Sequence, residues 1–283
     1  GLERGARAAC TIIDLSCEEL KSCFEDGPDP EYVRKLCAMK VKEAIVSTKA
    51  SPPKIVRPSG KLPGWGTFFE VCTEADSNLG KAALEYERVK VVRVTKESDW
   101  LNPITVEGII AAAKKAPGAS AHASLPCTVW SSWQRMSVHK FGVAYEESLR
   151  ARREESRQMI RSFLRLAEVI VANGGEVSFE WPQHCLGWLQ PELLDFITRF
   201  NLHSVVVHGC ALGMTNVAGE PILKKWRFVT TSARMAAALE PLTCQHEKGF
   251  KHGEISGATT AKTAVYPMAL CHTILSALYG YME

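Results

Sequence analysis

The stretch that decides the fold is Ala119–Gln134, ASAHASLPCTVWSSWQ. Small and apolar residues run to Leu125, the chain turns at Pro126, presents Cys127, and enters an aromatic segment with Trp130 and Trp133. A short strand that ends in Pro-Cys is how an α/β protein sets a thiol at the carboxyl edge of its sheet, where ligands bind. The plainer alternative is a structural cysteine packed as a small hydrophobe.

Working outward, short apolar runs alternate with helical periodicity on both sides of this strand. Upstream, Thr67–Cys72 reads as a buried first strand, Leu79–Arg88 as a helix, Val89–Val94 as a second strand, and Thr105–Ala116 as an amphipathic helix stopped by Pro117-Gly118. Downstream, the longest helix is expected over Tyr145–Asn173, with Met159, Ile160, Phe163, Ala167, Ile170 and Val171 as its apolar face. Glu176–Trp181, His203–His208 and Trp226–Thr231 read as strands. Pro191–Phe200, Ala233–Leu239 and Thr263–Tyr279 read as helices. This alternation predicts a parallel, doubly wound sheet over residues 61–283. Residues 1–60 read as a small helical segment, with helices at Ser16–Phe24 and from Asp29 to about Thr48, and a Pro/Gly-rich linker at Ser51–Gly66.

Composition narrows the class. With 46% hydrophobic and 23% charged residues, the 283-residue chain has enough apolar content for a sizeable core. A net charge of +3 is compatible with a polyanionic partner without demanding one. Ten cysteines occur without any Cys-x-x-Cys pair, so neither a zinc ribbon nor a thioredoxin-type redox pair is indicated. Reduced thiols and an intracellular setting, the nucleus included, are expected. No apolar run approaches the ~20 residues that span a bilayer.

Two strand ends carry groups able to do chemistry together. Cys127 follows one strand, and Glu180-Trp181-Pro182 follows the next after the long helix. In a doubly wound sheet these ends line one crevice, where a thiol and a carboxyl can act as nucleophile and acid. Leu125-Pro126-Cys127 and Phe179-Glu180-Trp181-Pro182, in this order along an α/β chain, resemble the catalytic domain of the cytosine-C5 DNA methyltransferases. Over roughly Gly66–Thr231 the resemblance implies a Rossmann-like fold of the class I methyltransferase type, S-adenosylmethionine as cofactor, and nucleic acid as substrate, DNA before RNA. It implies Cys127 as the nucleophile at cytosine C6 and Glu180 as the acid at the ring N3 edge, with the target base out of its stack. It places the cofactor on Phe69, Glu70, Val71, Cys72, Gly80, Asp99 and Pro126. The family's turn is glycine-rich, whereas Cys72-Thr73-Glu74-Ala75-Asp76-Ser77 holds no glycine before Gly80. A chain that has lost catalysis and serves as a nucleic-acid or protein binding module is therefore the alternative.

Arg153, Arg157 and Arg161 recur every four residues on the long helix, a stripe that could follow phosphates or lie as a solvated face against Glu154 and Glu155. Trp130 and Trp133 could stack on bases or pack into the core. Cys244, His246 and His252, in TCQHEKGFKHG, are weak candidates for metal ligands. Cys271 or His272 is conceivable as a fourth donor, with a polar surface loop as the alternative.

Overall fold

The computed structural model describes residues 66–86, 88–256, 260 and 263–280. The two helices expected before residue 60 and most of the linker lie outside the described residues.

Among these residues the chain is α/β, with one six-stranded mixed sheet and seven α-helices. In chain order these are β1 (Gly66–Thr73), α1 (Asn78–Ala83), β2 (Val89–Thr95), α2 (Pro103–Lys114), β3 (Ser120–Ala123), α3 (Trp133–Phe141), α4 (Val143–Ala172), β4 (Glu176–Pro182), α5 (Pro191–Arg199), β5 (His203–His208), β6 (Lys225–Thr230), α6 (Ala233–Leu239) and α7 (Met268–Tyr279). The sheet order is β2-β1-β3-β4-β6-β5. Strands β2, β1, β3 and β4 pair in parallel, whereas β6 runs antiparallel to both β4 and β5. The purely parallel sheet predicted from the alternation is thus corrected at β6. Each parallel pair is joined through a helix, but Gly209–Lys224 between β5 and β6 contains only a single 3-10 turn. A connection without a crossover helix returns the chain antiparallel.

Alternating side chains divide the core by face. Phe69, Val71, Ala121, Val177 and Phe179 join Val106 and Ile110 of α2 and Ile160, Phe163, Ala167 and Ile170 of α4 on one side. Phe68 and Phe228 join Leu79 of α1, Met235 of α6 and Leu270, Ile274 and Leu275 of α7 on the other. Local chemistry sets the element ends. Asn102 caps α2 by accepting from the Ile104 amide at 2.9 Å, with Pro103 in the first turn. Leaving α4, the chain passes Gly174 (φ +76°) and then Gly175, where a Cβ would run into the Ala119 carbonyl. This close approach brings β4 in beside β3.

The sequence reading missed α3, a helix with Trp133 largely exposed, and placed the start of α4 two residues late. Helix α1 is shorter than expected. The last helix starts at Met268 because Pro267 occupies its N-cap.

Candidate active site

Chain order along the sheet reverses between β1 and β3, since β1 leads outward to β2 while β3 and β4 lie on its other side. A crevice at the carboxyl ends of strands flanking such a switch is where open α/β sheets take ligands. The Cys72–Ser77 turn leaves β1 here, Ser124–Cys127 leaves β3, and Pro182–Cys185 leaves β4.

Glu180 lies on β4 and is 3% exposed. Its Oε2 accepts from Ser124 Oγ at 2.8 Å and from Tyr266 Oη at 2.6 Å. Its Oε1 is buried with no hydrogen-bond partner. Burial pushes the carboxyl above its ordinary value, and the Tyr266 and Ser124 hydrogen bonds and the charge of Lys224 offset only part of this. Behind it the network continues: Tyr266 Oη lies 3.2 Å from His122 Nε2, and His122 Nδ1 lies 2.8 Å from Ser178 Oγ. His122 is held neutral, its pKa lowered by burial to about 3. Strands β3 and β4 and the segment before α7 thus supply one buried polar chain ending at an acid with a spare oxygen.

Cys127 is half-buried and packs against the first core beside Val129. Burial raises its thiol pKa first and the Glu180 charge raises it further, while Lys224 acts in the opposite sense. Cys185 feels the same Glu180 and Lys224 charges and that of Cys127 itself. The thiol and the carboxyl named from the sequence therefore share one electrostatic neighbourhood, and Lys224 is its cation. The sequence reading gave Tyr266, His122 and Ser124 no role. One signal was available for them. Ser124 directly precedes Leu125-Pro126 at the end of β3, and Ser178 stands on β4 two residues before Glu180-Trp181, positions a purely apolar edge would fill with hydrophobes.

The first turn is built around Glu70, which is buried beside Thr73 and Ser77. Both hydroxyls donate to its carboxylate at 2.8 Å, and Arg93 Nε stands 3.7 Å from Oε2. Ser77 Oγ in turn accepts from the Gly80 amide and caps α1. Gly80 has no Cβ because the Arg93 guanidinium occupies that space. Cys72 has φ +58°, the left-handed conformation that favours glycine, and its side chain packs onto the first core with its thiol pKa pushed up by burial to about 12. The backbone thus makes a glycine-type turn with a cysteine turned inward. Glu74 and Asp76 are exposed rather than folded over the turn. Asp99, also left-handed at φ +49°, is exposed at the end of β2 with Oδ1 accepting from the Leu101 amide at 3.3 Å. Asp99 and Pro126 are both exposed. Phe69 and Val71 are wholly inside the core, and Glu70 and Gly80 shape the turn from within.

Trp130 is corrected as a base-stacking residue. It is 3% exposed, donates its indole N–H to Ser156 Oγ at 2.8 Å, and lies under the guanidinium groups of Arg153 and Arg157. The arginine stripe is met by carboxylates: Arg157 pairs with Glu154, and Arg161 with both Glu154 and Glu192. Arg153 Nε donates to the Val129 carbonyl at 3.1 Å, tying α4 to the turn after Cys127. A cleft of about 420 Å³ opens on this side, lined by Gln134, Arg135, Glu146, Arg150, Arg153 and Arg157. Cys244, His246 and His252 come together near Cys210. Cys271 is buried in the second core and His272 faces Glu85, so neither completes that group.

No protein-family model matches the chain, and neither the curated proteins nor the solved structures hold a match to it. No helix among the described residues is long and apolar enough to cross a membrane.

Proposed function

We propose that the chain is an S-adenosylmethionine-dependent cytosine-C5 methyltransferase acting on nucleic acid, DNA before RNA. The observation that carries the reading is the buried Glu180 carboxyl, one oxygen unpartnered, hydrogen-bonded to Ser124 on the segment that leads from β3 to Cys127.

The chemistry asks two things of these residues. Cys127 attacks C6 of a base held out of its stack, forming a carbon–sulfur bond and pushing the ring electrons towards C5. Glu180, with a raised pKa, hands its proton to N3, so the ring carries no net anion while the adduct lasts. Lys224 favours the thiolate, and Tyr266 and Ser124 fix the carboxyl through Oε2, leaving Oε1 as the oxygen without a protein partner. The left-handed turn at Cys72, Asp99 after β2 and Pro126 would hold the cofactor, which when bound supplies an electrophilic methyl group. A base from solvent then takes the C5 proton, N3 returns its proton to Glu180, and the carbon–sulfur bond breaks to release Cys127 as the thiolate.

A second reading is favoured by one observation. Burial and the Glu180 charge both hold Cys127 in its thiol form, which suits a module that binds nucleic acid without attacking it. Incubation with a 5-fluorocytosine duplex and S-adenosylmethionine separates the two. The enzyme forms a denaturant-stable adduct that Cys127→Ser abolishes. Retention of the duplex with no adduct, by a protein that gives no calorimetric heat with the cofactor, would establish the binding module instead.

A further inference from the structure

Away from the thiol–carboxyl site, four side chains from two separate segments converge. Cys210 stands in the 3-10 turn Gly209–Leu212 that leaves β5, and Cys244, His246 and His252 stand in the irregular segment after α6. Their donor atoms all lie within 4.8 Å of one another. Cys244 Sγ is 3.2 Å from His246 Nδ1 and 3.4 Å from His252 Nε2, and these two nitrogens are 3.2 Å apart. A tetrahedral zinc ion with bonds of about 2.3 Å to sulfur and 2.0–2.1 Å to nitrogen sets its donors about 3.3 to 3.8 Å apart. The observed spacings are of that size. We propose that Cys210, Cys244, His246 and His252 bind one zinc ion in a closed, structural site.

Hydrophobic burial does not account for the convergence. His246 is exposed, as are Gln245 and every residue from Glu247 to Lys251. An exposed imidazole, a second one and two thiols that are only half-buried gain more by facing water than by crowding one point, unless an ion sits there. Residues 243–256 form no helix or strand, and their backbone bonds are few. Phe250 donates to the Glu247 carbonyl at 3.0 Å, and Gly253 to the Pro221 carbonyl at 2.8 Å. An irregular segment of this length inside a compact domain calls for a clip, and a metal that joins it to a strand end supplies one.

The surroundings suit that role. The Cys244 amide donates to His208 Nδ1 at 2.8 Å, fixing the cysteine against the end of β5. The Phe250 ring stacks on His246 with centroids 4.0 Å apart and planes within 7°, holding the imidazole in place. Two thiolates balance the charge of a divalent ion, two neutral imidazoles complete four-coordination, and a tetrahedral S₂N₂ set selects zinc. With all four positions taken by protein there is no place for a reacting water, so the ion is a staple and not a catalyst. The stapled turn also touches the other site. The Gly209 amide donates to the Lys224 carbonyl at 2.7 Å, so the metal would brace the strand entry that carries Lys224. The proposal stands on the donor geometry alone, whatever Cys127 does.

The test uses the full chain. Purified under reducing conditions and dialysed in metal-free buffer, the protein should hold one more equivalent of zinc than the Cys244→Ser/His246→Ala variant. Taking the difference removes any contribution from the four cysteines before residue 60. Cobalt in place of zinc should give tetrahedral visible bands and a thiolate charge-transfer band that Cys210→Ser weakens. If the variants do not fold, mapping on the parent decides. Alkylation of Cys210 and Cys244 should be slowed about tenfold or more by bound metal and restored by a chelator. Equal zinc content in folded parent and variant would overturn the proposal. So would cobalt uptake without a charge-transfer band, or alkylation of Cys210 and Cys244 indifferent to the chelator.

Discussion

At the scale of single residues, the decisive feature is a carboxyl kept out of water with half of its hydrogen-bonding capacity unspent. Glu180 has a folded pKa raised by burial. Its stabilising contribution is therefore complete below its ordinary value of about 4.5 and lost as pH rises through the folded value. Glu180→Gln has no such titration. Its urea midpoint relative to the parent should rise with pH from about 4.5 upward, and an unchanged difference between pH 4 and pH 8 would mean the carboxyl is not desolvated in solution. Under the proposed reaction, the same substitution should lower the yield of the 5-fluorocytosine adduct by about 10²–10⁴-fold, the usual worth of a positioned acid. His122 acts in the opposite sense. It is neutral when folded, with a pKa near 3, and takes up a proton at about 6.5 once unfolded, so the parent loses stability as pH falls below that value. His122→Asn should remove this part of the acid sensitivity, visible as a shallower fall in urea midpoint between pH 6.5 and pH 4. Tyr266→Phe should cost about 1–3 kcal/mol, since Glu180 and His122 each lose a buried partner.

At the scale of elements, the turn after β1 and the corner between α3 and α4 show backbone conformation set by position. Cys72 takes a glycine's conformation and turns its side chain inward, which no residue count could have foretold. The turn lacks the glycine that the resemblance calls for, yet Cys72 takes a φ of +58° there. Gly142 is a cleaner case. It joins α3 to α4 at φ +71° and ψ −160°, a region nearly closed to other residues, and a Cβ there would meet nothing within 4 Å. Gly142→Ala therefore tests backbone strain without a clash. It should destabilise by about 1–3 kcal/mol in urea unfolding, and a parental midpoint would mean the corner relaxes into an ordinary helix link. The long helix was legible because its apolar spacing repeats over many turns. Helix α3 was not, because its only buried side chain is Gln134, whose amide donates to the Thr128 carbonyl at 2.8 Å. A helix held by a polar anchor leaves no apolar stripe to read.

At the scale of the whole molecule, strand identities could be read from local composition, but the reversal of β6 could not. Direction depends on whether the intervening segment can make a crossover helix, and Gly209–Lys224 is punctuated by turns instead. The placement of Cys127 just after β3 and of Glu180 near the end of β4 was legible because each stands beside its own strand in sequence. Tyr266 was not, since it arrives from 86 residues further along the chain to reach Glu180, and Cys210 lies more than thirty residues before the other thiol of its cluster. Tyr266 is held by the start of α7, which closes the second core over α1 and α6. Leu270, Cys271, Ile274, Leu275 and Leu278 are its buried side chains. At about 1.5–3 kcal/mol each their burial sums to roughly 10 kcal/mol, the size of a whole domain's stability of about 5–15 kcal/mol. A chain ending at residue 262 would also leave Glu180 and His122 without Tyr266, and Phe68, Leu79 and Phe228 without cover. That chain should show no cooperative urea transition and should bind a hydrophobic dye. One ending at residue 280 should keep the parental midpoint, because α7 is then whole. Cooperative unfolding of the shorter chain would mean that the sheet holds its buried polar network without the helix packed across it, and that Tyr266 follows the fold of β3 and β4 instead of helping to form it.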